Sequence, residues 1–176
     1  MSEVIIRHLT LDDAEAFFTL RLEALQTNPE AFGADYESTL AEHSVETYKD
    51  RIPSADSDKA IICAEIDGKL VGMMGFVRET RMKIKHCGVI WGVYVTPSAR
   101  GQGIARKMMQ ASMTHIQTCA DLKLVTLTVI TENIGAIKLY ESFGFRIWGT
   151  QPKALLVNDR LYDMHWMSYE LEENAS

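Results

Sequence analysis

The chain has 176 residues, of which 47% are hydrophobic and 24% are charged. Since roughly 100–200 residues make one domain, these proportions predict a single globular domain over 1–176 and exclude collagen-like, disordered and coiled-coil chains. Acidic residues outnumber basic ones by 24 to 18, and the lack of a basic cluster argues against a nucleic-acid partner.

The sequence contains no segment suited to a membrane. Its longest apolar stretch, 60–77, is interrupted by Glu65, Asp67 and Lys69, whereas a membrane span needs about 18 or more apolar residues in a row. The N-terminus carries charged residues around a short apolar run, instead of a basic leader and a long apolar region. We therefore expect a cytoplasmic protein with no membrane partner.

The cysteines and histidines do not have the spacing of a metal site. The three cysteines, Cys63, Cys87 and Cys119, form no CxxC pair and stand in apolar or amphipathic segments, which predicts buried, reduced thiols. The five histidines fall in five different segments, with neither an HxxxH nor an HxH pair. We expect no metal.

The first half of the chain has two helix signals between a strand and a β-hairpin. Thr10 and Asp13 have the spacing of a capping box, and Asn28 followed by proline stops the helix that begins there. Residues 30–42 are less periodic. Apolar periodicity and turn residues predict a strand over 4–7, a helix over 10–28, a helix over 44–53 and a β-hairpin over 60–78 that turns at Asp67-Gly68.

The second half of the chain predicts two helices between strands. The elements are a strand over 87–95, a helix over 103–119, a strand over 125–130, a helix over 134–143 closed by Gly144, and strands over 145–150 and 160–171. The helix between the strands at 87–95 and 125–130 is a crossover, which predicts parallel or near-parallel pairing of those two strands. The whole order predicts an α+β domain.

The segment 93–106 carries the strongest chemical signal, because an apolar strand leads through a glycine-containing turn directly into a helix. The first helical turn has unpaired N–H groups and the positive end of the helix dipole, which suit a phosphate or pyrophosphate. Gly101 and Gly103 allow close approach of a ligand, and Arg100 and Arg106 add positive charge. A tight connection without a ligand fits the same residues, since a lone GxG is a weak signal.

Two nucleotide-binding motifs fit this segment poorly. A dinucleotide fingerprint requires a third small residue where Arg106 stands. A Walker loop requires Gly-Lys-Ser/Thr, whereas Lys107 lies between Arg106 and Met108. The phosphate of a mononucleotide or dinucleotide is therefore not the expected ligand.

The segment resembles the first motif of the GNAT superfamily of acyl-CoA N-acyltransferases, Arg/Gln-x-x-Gly-x-Gly/Ala, in which Ala105 takes the last position. The second motif of the family is matched by Asn133, Ala136, Leu139-Tyr140-Glu141 and Gly144-Phe145. Two motifs in the right order are more specific than either motif alone. The resemblance extends over 4–171, although the first 60 residues match only in outline.

The resemblance implies both a fold and a co-substrate. The fold is αβα layered, with a mixed and mostly antiparallel central sheet of about seven strands that splays between its fourth and fifth strands. The co-substrate is acetyl-CoA, whose pyrophosphate would lie on the amides of 101–106 and whose pantetheine would meet 93–95 and Asn133. The implied acetyl-CoA-binding residues are Val93, Tyr94, Val95, Arg100, Gly101, Gln102, Gly103, Ile104, Ala105, Arg106, Asn133, Ala136 and Tyr140.

Direct attack of an amine on a thioester needs a base and an acid. Tyr140 matches the position of the family's acid, although its ring could instead pack only against the sheet. Glu79, at the end of the hairpin, is the first candidate base; a solvated residue at a strand end fits the same position. His86, Glu132 and a chain of water molecules are the other candidates.

The expected activity is transfer of the acetyl group of acetyl-CoA to a primary amine of a small molecule or a peptide. A protein N-terminal or lysine acetyltransferase is one alternative, and an acyl-CoA-binding sensor without turnover is another. The N-terminal helical region resembles the family's variable acceptor-binding cap, in which Tyr36 and Glu37 could reach the acceptor. The exposed late strands suggest a homodimer.

Overall fold

The computed structural model describes residues 3–54 and 58–172. The parts of the predicted domain at 1–2, 55–57 and 173–176 lie outside the described residues. Within the described ranges, seven strands cover Val4–His8 (β1), Lys59–Ile66 (β2), Lys69–Arg78 (β3), Cys87–Val95 (β4), Leu124–Ile130 (β5), Arg146–Val157 (β6) and Arg160–Glu170 (β7). The same part of the chain contains five α-helices, which cover Ala14–Thr27 (α1), Tyr36–Glu42 (α2), Val45–Lys49 (α3), Ile104–Ile116 (α4) and Ile134–Glu141 (α5).

The strands form one sheet in the order β1-β2-β3-β4-β5-β7-β6. The β4 and β5 strands pair in parallel, and every other neighbouring pair is antiparallel. This arrangement confirms the mixed, mostly antiparallel sheet and the parallel pairing expected on either side of the crossover helix.

Side chains of successive residues in a strand point to opposite faces of a sheet, and the residues of β2 show that both faces are covered. Ile62 and Ala64 pack with α4 and α5 in one buried cluster. Ile61 and Cys63 pack with α1 and with Tyr48 of α3 in another. The protein therefore has the three layers, helix, sheet and helix, that the sequence predicts.

The β4 and β5 strands pair only at their beginnings. Their register runs from Cys87 opposite Leu124 to Val89 opposite Thr126 and stops there, although both strands continue for several residues. From Ile90 onward the two strands part, so the backbone of β4 has an edge that β5 does not cover. This is the splay predicted between the fourth and fifth strands.

A bulge lies in β4 where the strands have parted. Met73 faces Tyr94 and Gly75 faces Trp91, so β4 has one residue more than β3 over this stretch. Gly92 lies inside it with φ of +65°, in the left-handed region where a side chain is disfavoured. The bulge turns the end of β4 relative to its beginning.

The structure adds two features that the sequence did not predict. One feature is the α2 helix, which lies in the segment 30–42. The apolar periodicity of this helix is weak because Thr39 is its one buried residue. The β6 strand runs seven residues beyond the predicted end at Thr150, through Pro152 and through Lys153 with φ of +53°. A proline is tolerated there because β6 is an edge strand, and the register shifts between Gln151 and Leu155.

The three cysteines form no disulfide. Cys63 and Cys119 are buried as predicted, whereas Cys87 is half-buried. Burial raises the pKa of Cys63 to about 11, so this thiol stays protonated at neutral pH. No helix in the described ranges is both long and apolar enough to cross a membrane.

Large apolar side chains are exposed on the last two strands, notably Trp148, Leu156 and Leu161. The ring of Trp148 lies 5.9 Å from that of Trp166. The homodimer suggested by these late strands stays a prediction.

The Trp91 ring lies over Gly75 so closely that a Cβ at that glycine would overlap it. We expect Gly75→Ala to lower the free energy of unfolding by about 1–3 kcal/mol, the usual cost of overpacking a core. Urea denaturation followed by circular dichroism measures this change.

Gly149→Ala is the matched control, because a Cβ there meets no atom within 4 Å and the glycine does not have a positive φ. Its stability should stay equal to that of the parent protein or rise slightly. An unchanged stability in Gly75→Ala would show that the Trp91 ring moves aside without cost.

Candidate active site

A cleft of about 790 Å³ opens where β4 and β5 part. Its walls come from β4, the start of α4, the loop before α5, α5 itself, the segment after α1 and the start of β7. Of the thirteen residues predicted to bind acetyl-CoA, twelve line it: Val93, Tyr94, Val95, Arg100, Gly101, Gly103, Ile104, Ala105, Arg106, Asn133, Ala136 and Tyr140. Gln102 is exposed at the rim and is not in the lining.

The N-terminus of α4 forms one end of the cleft. Gly101 and Gly103 have φ of +79° and +72°, and a Cβ on either glycine would meet no atom within 4 Å. The first backbone hydrogen bond of α4 runs from the N–H of Lys107 to the carbonyl of Gly103. The N–H groups of the three preceding residues, 104–106, have no acceptor within the helix, so this open cradle suits an anion.

Arg100 holds the turn before α4 in place. Its Nε donates to the Val95 carbonyl at 2.9 Å, and its Nη2 donates to Asn28 Oδ1 at 2.6 Å. Its guanidinium also lies 5.7 Å from the centre of the Tyr94 ring. Because these donors are used inside the protein, Arg100 fastens the turn to the end of β4 and to the residue after α1.

Arg106 is also held by the protein. Its Nη2 donates to Ser142 Oγ at 2.9 Å, and its guanidinium lies 5.4 Å from the centre of the Phe143 ring. The start of α4 is therefore tied to the end of α5.

A half-buried carboxylate supports the end of β4. The Tyr94 hydroxyl donates to Glu23 Oε1 at 2.8 Å, and the Thr96 hydroxyl donates to the same oxygen. Burial, and the contact with the Glu23 carboxylate, raise the pKa of Tyr94. Glu23 belongs to α1, so this helix positions the strand end that lines the cleft.

Tyr140 reaches the cleft from α5 and is 5% exposed. Its ring centre lies 6.3 Å from that of Phe145. Burial raises the pKa of Tyr140 well above the ordinary value of a phenol. The hydroxyl therefore keeps its proton over the physiological range of pH, and it can donate a proton but cannot act as a base.

Asn133 has a clear structural part in this site. Its Oδ1 accepts a hydrogen bond of 3.1 Å from the Ala136 N–H, which makes it the N-cap of α5. The cap fixes the start of the helix that carries Tyr140.

The comparisons with known proteins agree with this geometry. Residues 22–145 match the model of the acetyltransferase (GNAT) family. The chain belongs to this family. It is an N-acetyltransferase of the acyl-CoA-dependent type, as the two sequence motifs imply.

Two curated relatives are themselves N-acetyltransferases. The L-amino acid N-acetyltransferase of Escherichia coli (strain K12) is 26% identical over 168 residues, which are 96% of this chain and 98% of that protein. The spermine/spermidine N(1)-acetyltransferase of Bacillus subtilis (strain 168) is 32% identical over 87 residues, which are 47% of this chain and 57% of that protein.

Two solved structures share the fold of this GNAT chain. An acetyltransferase of the GNAT family from Streptococcus pneumoniae has a TM-score of 0.87 at 20% identity and covers 96% of this chain and 100% of its own. The structure of a Salmonella typhimurium protein with its cofactor acetyl-CoA has a TM-score of 0.78 at 20% identity and covers 99% of this chain and 98% of its own.

The structure does not bring Glu79 to the cleft of this GNAT enzyme. Its N–H donates to the carbonyl of Cys87, the first residue of β4, and its carboxylate lies 3.9 Å from Arg81. Val93 is six residues further along β4, a distance of about 20 Å in an extended strand. The role of Glu79 as the base therefore has no support from the geometry. His86, next to Cys87, lies at the same distant end.

Glu132, the other reserve base, does line the cleft. Its two carboxylate oxygens accept hydrogen bonds of 2.8 and 2.9 Å from Arg160 Nη2. This ion pair joins the loop before α5 to the first residue of β7. Tyr36 and Glu37, predicted to reach the acceptor, are not among the lining residues.

Several lining residues have no local signal in the sequence. Asn28 and Phe32 come from the segment between α1 and α2, and Arg160 and Tyr162 come from β7. Asn28 could be identified only as the end of a helix, because its bond to Arg100 joins residues that are 72 positions apart.

Removal of the Glu23 carboxylate tests how the end of β4 is held in place. We expect Glu23→Ala to lower the free energy of unfolding by about 2 kcal/mol, because the Tyr94 and Thr96 hydroxyls lose a charged acceptor. Gln26→Ala, an exposed and uncharged change on the same helix, is the control and should leave stability unchanged. Equal unfolding midpoints in urea for the two variants would contradict the supporting role of Glu23.

Proposed function

We propose that this GNAT enzyme transfers the acetyl group of acetyl-CoA to the primary amine of a small molecule by direct attack. The observation that carries the proposal is that one cleft joins three features. These are the open amides at the start of α4, the uncovered edge of β4 and the Tyr140 hydroxyl.

The residues at the start of α4 fit the pyrophosphate of acetyl-CoA. The glycines at 101 and 103 leave the backbone open, and the N–H groups of 104–106 point out of the helix toward one volume. Acetyl-CoA, when bound, supplies the thioester carbon that the amine attacks. The likeness to a structure solved with acetyl-CoA supports this co-substrate.

The uncovered edge of β4 fits the pantetheine arm. Backbone groups of 93–95 that β5 does not pair can form hydrogen bonds with the amides of the arm, in the manner of an added strand. An N–H near Tyr94 or Val95 can then polarise the thioester carbonyl, as an oxyanion hole does. Asn133 and Ala136 line the cleft from the side of α5.

Tyr140 is the proposed acid for the departing thiolate. Its hydroxyl stays protonated because it is buried, and it lies in the wall of the cleft. Among the three side chains considered as bases, Glu132 is the one in the lining, so we assign it and water at the cleft mouth to receive the proton of the amine.

Small amines are the proposed acceptors. The relatives described above act on L-amino acids and on spermine or spermidine, which favours a small molecule over a protein N-terminus or lysine. Both relatives catalyse a transfer, which favours turnover over an acyl-CoA sensor.

Ala105→Glu tests the acetyl-CoA site. Acetyl-CoA at a hundredfold excess over its Kd should stabilise the parent protein by about 2.7 kcal/mol. The new carboxylate should abolish this gain, because it stands where the pyrophosphate is expected, while a negative charge in the first turn of a helix leaves the helix itself stable. The measurement is the melting temperature with and without acetyl-CoA.

Gln110→Glu is the matched control for that experiment. It adds the same charge to an exposed position of α4 outside the cleft and should keep the full shift in melting temperature. A parent protein whose melting temperature does not change in millimolar acetyl-CoA would refute the assignment.

Tyr140→Phe tests the acid. The ring and its packing remain while the proton donor is lost, so kcat should fall by roughly ten- to a thousandfold and the KM for acetyl-CoA should change little. Tyr169→Phe removes a hydroxyl from the sheet outside the cleft and should keep the parent rate. An undiminished rate in Tyr140→Phe would remove this residue from the mechanism.

A further inference from the structure

Arg21 is a partly buried cation that has no role in the mechanism above. Arg21 belongs to α1, and its Nη1 is buried without a hydrogen-bond partner among the described residues. It also forms no ion pair within 3–54 or 58–172. A buried donor without an acceptor costs stability, so the unused Nη1 of Arg21 is kept at the expense of folding free energy.

The surroundings of Arg21 favour an anion from outside the chain. Burial lowers the pKa of Arg21, the interaction with Tyr48, which includes a side-chain hydrogen bond, raises it, and the positive charge of Arg51 lowers it further. Its guanidinium lies 4.7 Å from the centre of the Phe32 ring. The aromatic contact supplies part of the stabilisation that water would give, but it leaves Nη1 free to donate.

Arg21 lies beside the part of β4 that borders the cleft. Its Nη1 is 3.7 Å from the position of a Cβ on Gly92, the glycine of the β4 bulge. The next residue, Val93, lines the cleft, and so does Phe32, which covers the guanidinium. The Phe32 ring thus contacts both the cleft and Arg21, and the lack of a side chain at Gly92 leaves room next to the strand.

We infer that Arg21 binds the carboxylate of an α-amino acid acceptor and that this residue directs the enzyme toward amino acids. The inference rests on the proposed function and names its acceptor class. A guanidinium holds a carboxylate through two parallel hydrogen bonds of about 2.7–2.9 Å.

The geometry of an α-amino acid fits this placement, because its amine is attached to the carbon next to the carboxylate. With the carboxylate on Arg21, the amine lies within a few ångströms of Gly92 and Val93, at the uncovered edge of β4. A polyamine has no group for Arg21, and its positive charges would be repelled there. The full-length relative from Escherichia coli acts on L-amino acids, in agreement with this class.

The experiment compares three forms of one acceptor. The L-amino acid with the highest rate in a panel of the twenty is assayed beside its amide and beside the amine that lacks the carboxylate, each with saturating acetyl-CoA. The parent protein should prefer the amino acid to the amide by at least tenfold in kcat/KM. Arg21→Met should raise the KM for the amino acid by about ten- to a hundredfold, as loss of a charged hydrogen bond does, and should change the rates with the two forms that lack a carboxylate less than threefold.

Two further variants distinguish the planar guanidinium of Arg21 from its charge and from the charge of a neighbouring arginine. Arg21→Lys keeps the charge without the planar fork and should fall between the parent and Arg21→Met. Arg51→Met removes a cation whose guanidinium lies 4.8 Å from the centre of the Tyr48 ring but which forms no contact with Gly92, and it should keep the parent preference. The melting temperature of Arg21→Met should stay close to that of the parent, because methionine keeps most of the apolar packing and removes a partly buried charge.

The outcomes separate the inference from the proposed function. An equal loss on all three acceptors in Arg21→Met, or spermidine acetylated faster than every amino acid, would overturn the role of Arg21 and leave acetyl transfer intact. If the parent acetylates no amine, the proposed function fails. In that case, an amino acid that raises the melting temperature of the CoA-loaded parent, but not of Arg21→Met, would still support the carboxylate site, and no such difference would overturn it.

Discussion

The site of this enzyme depends on one incomplete pairing between two parallel strands. The β4 and β5 strands share only three residue pairs before they part, and a buried backbone without partners is costly. Between the parted strands, the N–H and carbonyl groups of β4 that face β5 therefore have no strand partner. A ligand with amide groups can supply such partners, whereas a side chain of the protein cannot do so over the same length.

Several contacts hold the parted strand in position. Arg100 ties the turn after β4 to the carbonyl of Val95 and to Asn28, and Glu23 binds the hydroxyls of Tyr94 and Thr96. Both sets connect the end of β4 to the region of α1. The edge of β4 is thus fixed without β5, which allows it to face a ligand in a constant geometry.

The fold could be predicted to a large extent because its signals are local. The bounds of β4 at Cys87 and Val95 follow from its composition and from the proline after Thr96. The end of β6 could not be predicted, since Lys153 interrupts the alternation with a positive φ while the strand continues on the other side. The α2 helix was missed because a short helix with one buried residue has almost no apolar face.

The residues of the site likewise divide into those that a local motif identifies and those that only the fold brings together. The turn at 100–106 and Tyr140 belong to motifs with a fixed spacing, so the sequence identifies them. The choice of Glu79 as the base required knowing which end of β4 borders the cleft, and that depends on the pairing of β4 with β5. Arg21 and Phe32 come together only in the folded chain, and nothing in the periodicity of α1 distinguishes this arginine from a solvated one.

The pair between Glu132 and Arg160 joins two walls of the cleft. Both side chains are more than half exposed, and such a pair contributes about 0–1 kcal/mol and weakens as salt is added. The connection between the loop before α5 and the start of β7 therefore has a defined geometry, but little free energy is needed to break it. A rise in the ionic strength of the medium therefore loosens this connection between two walls of the cleft without breaking any backbone pairing of the sheet.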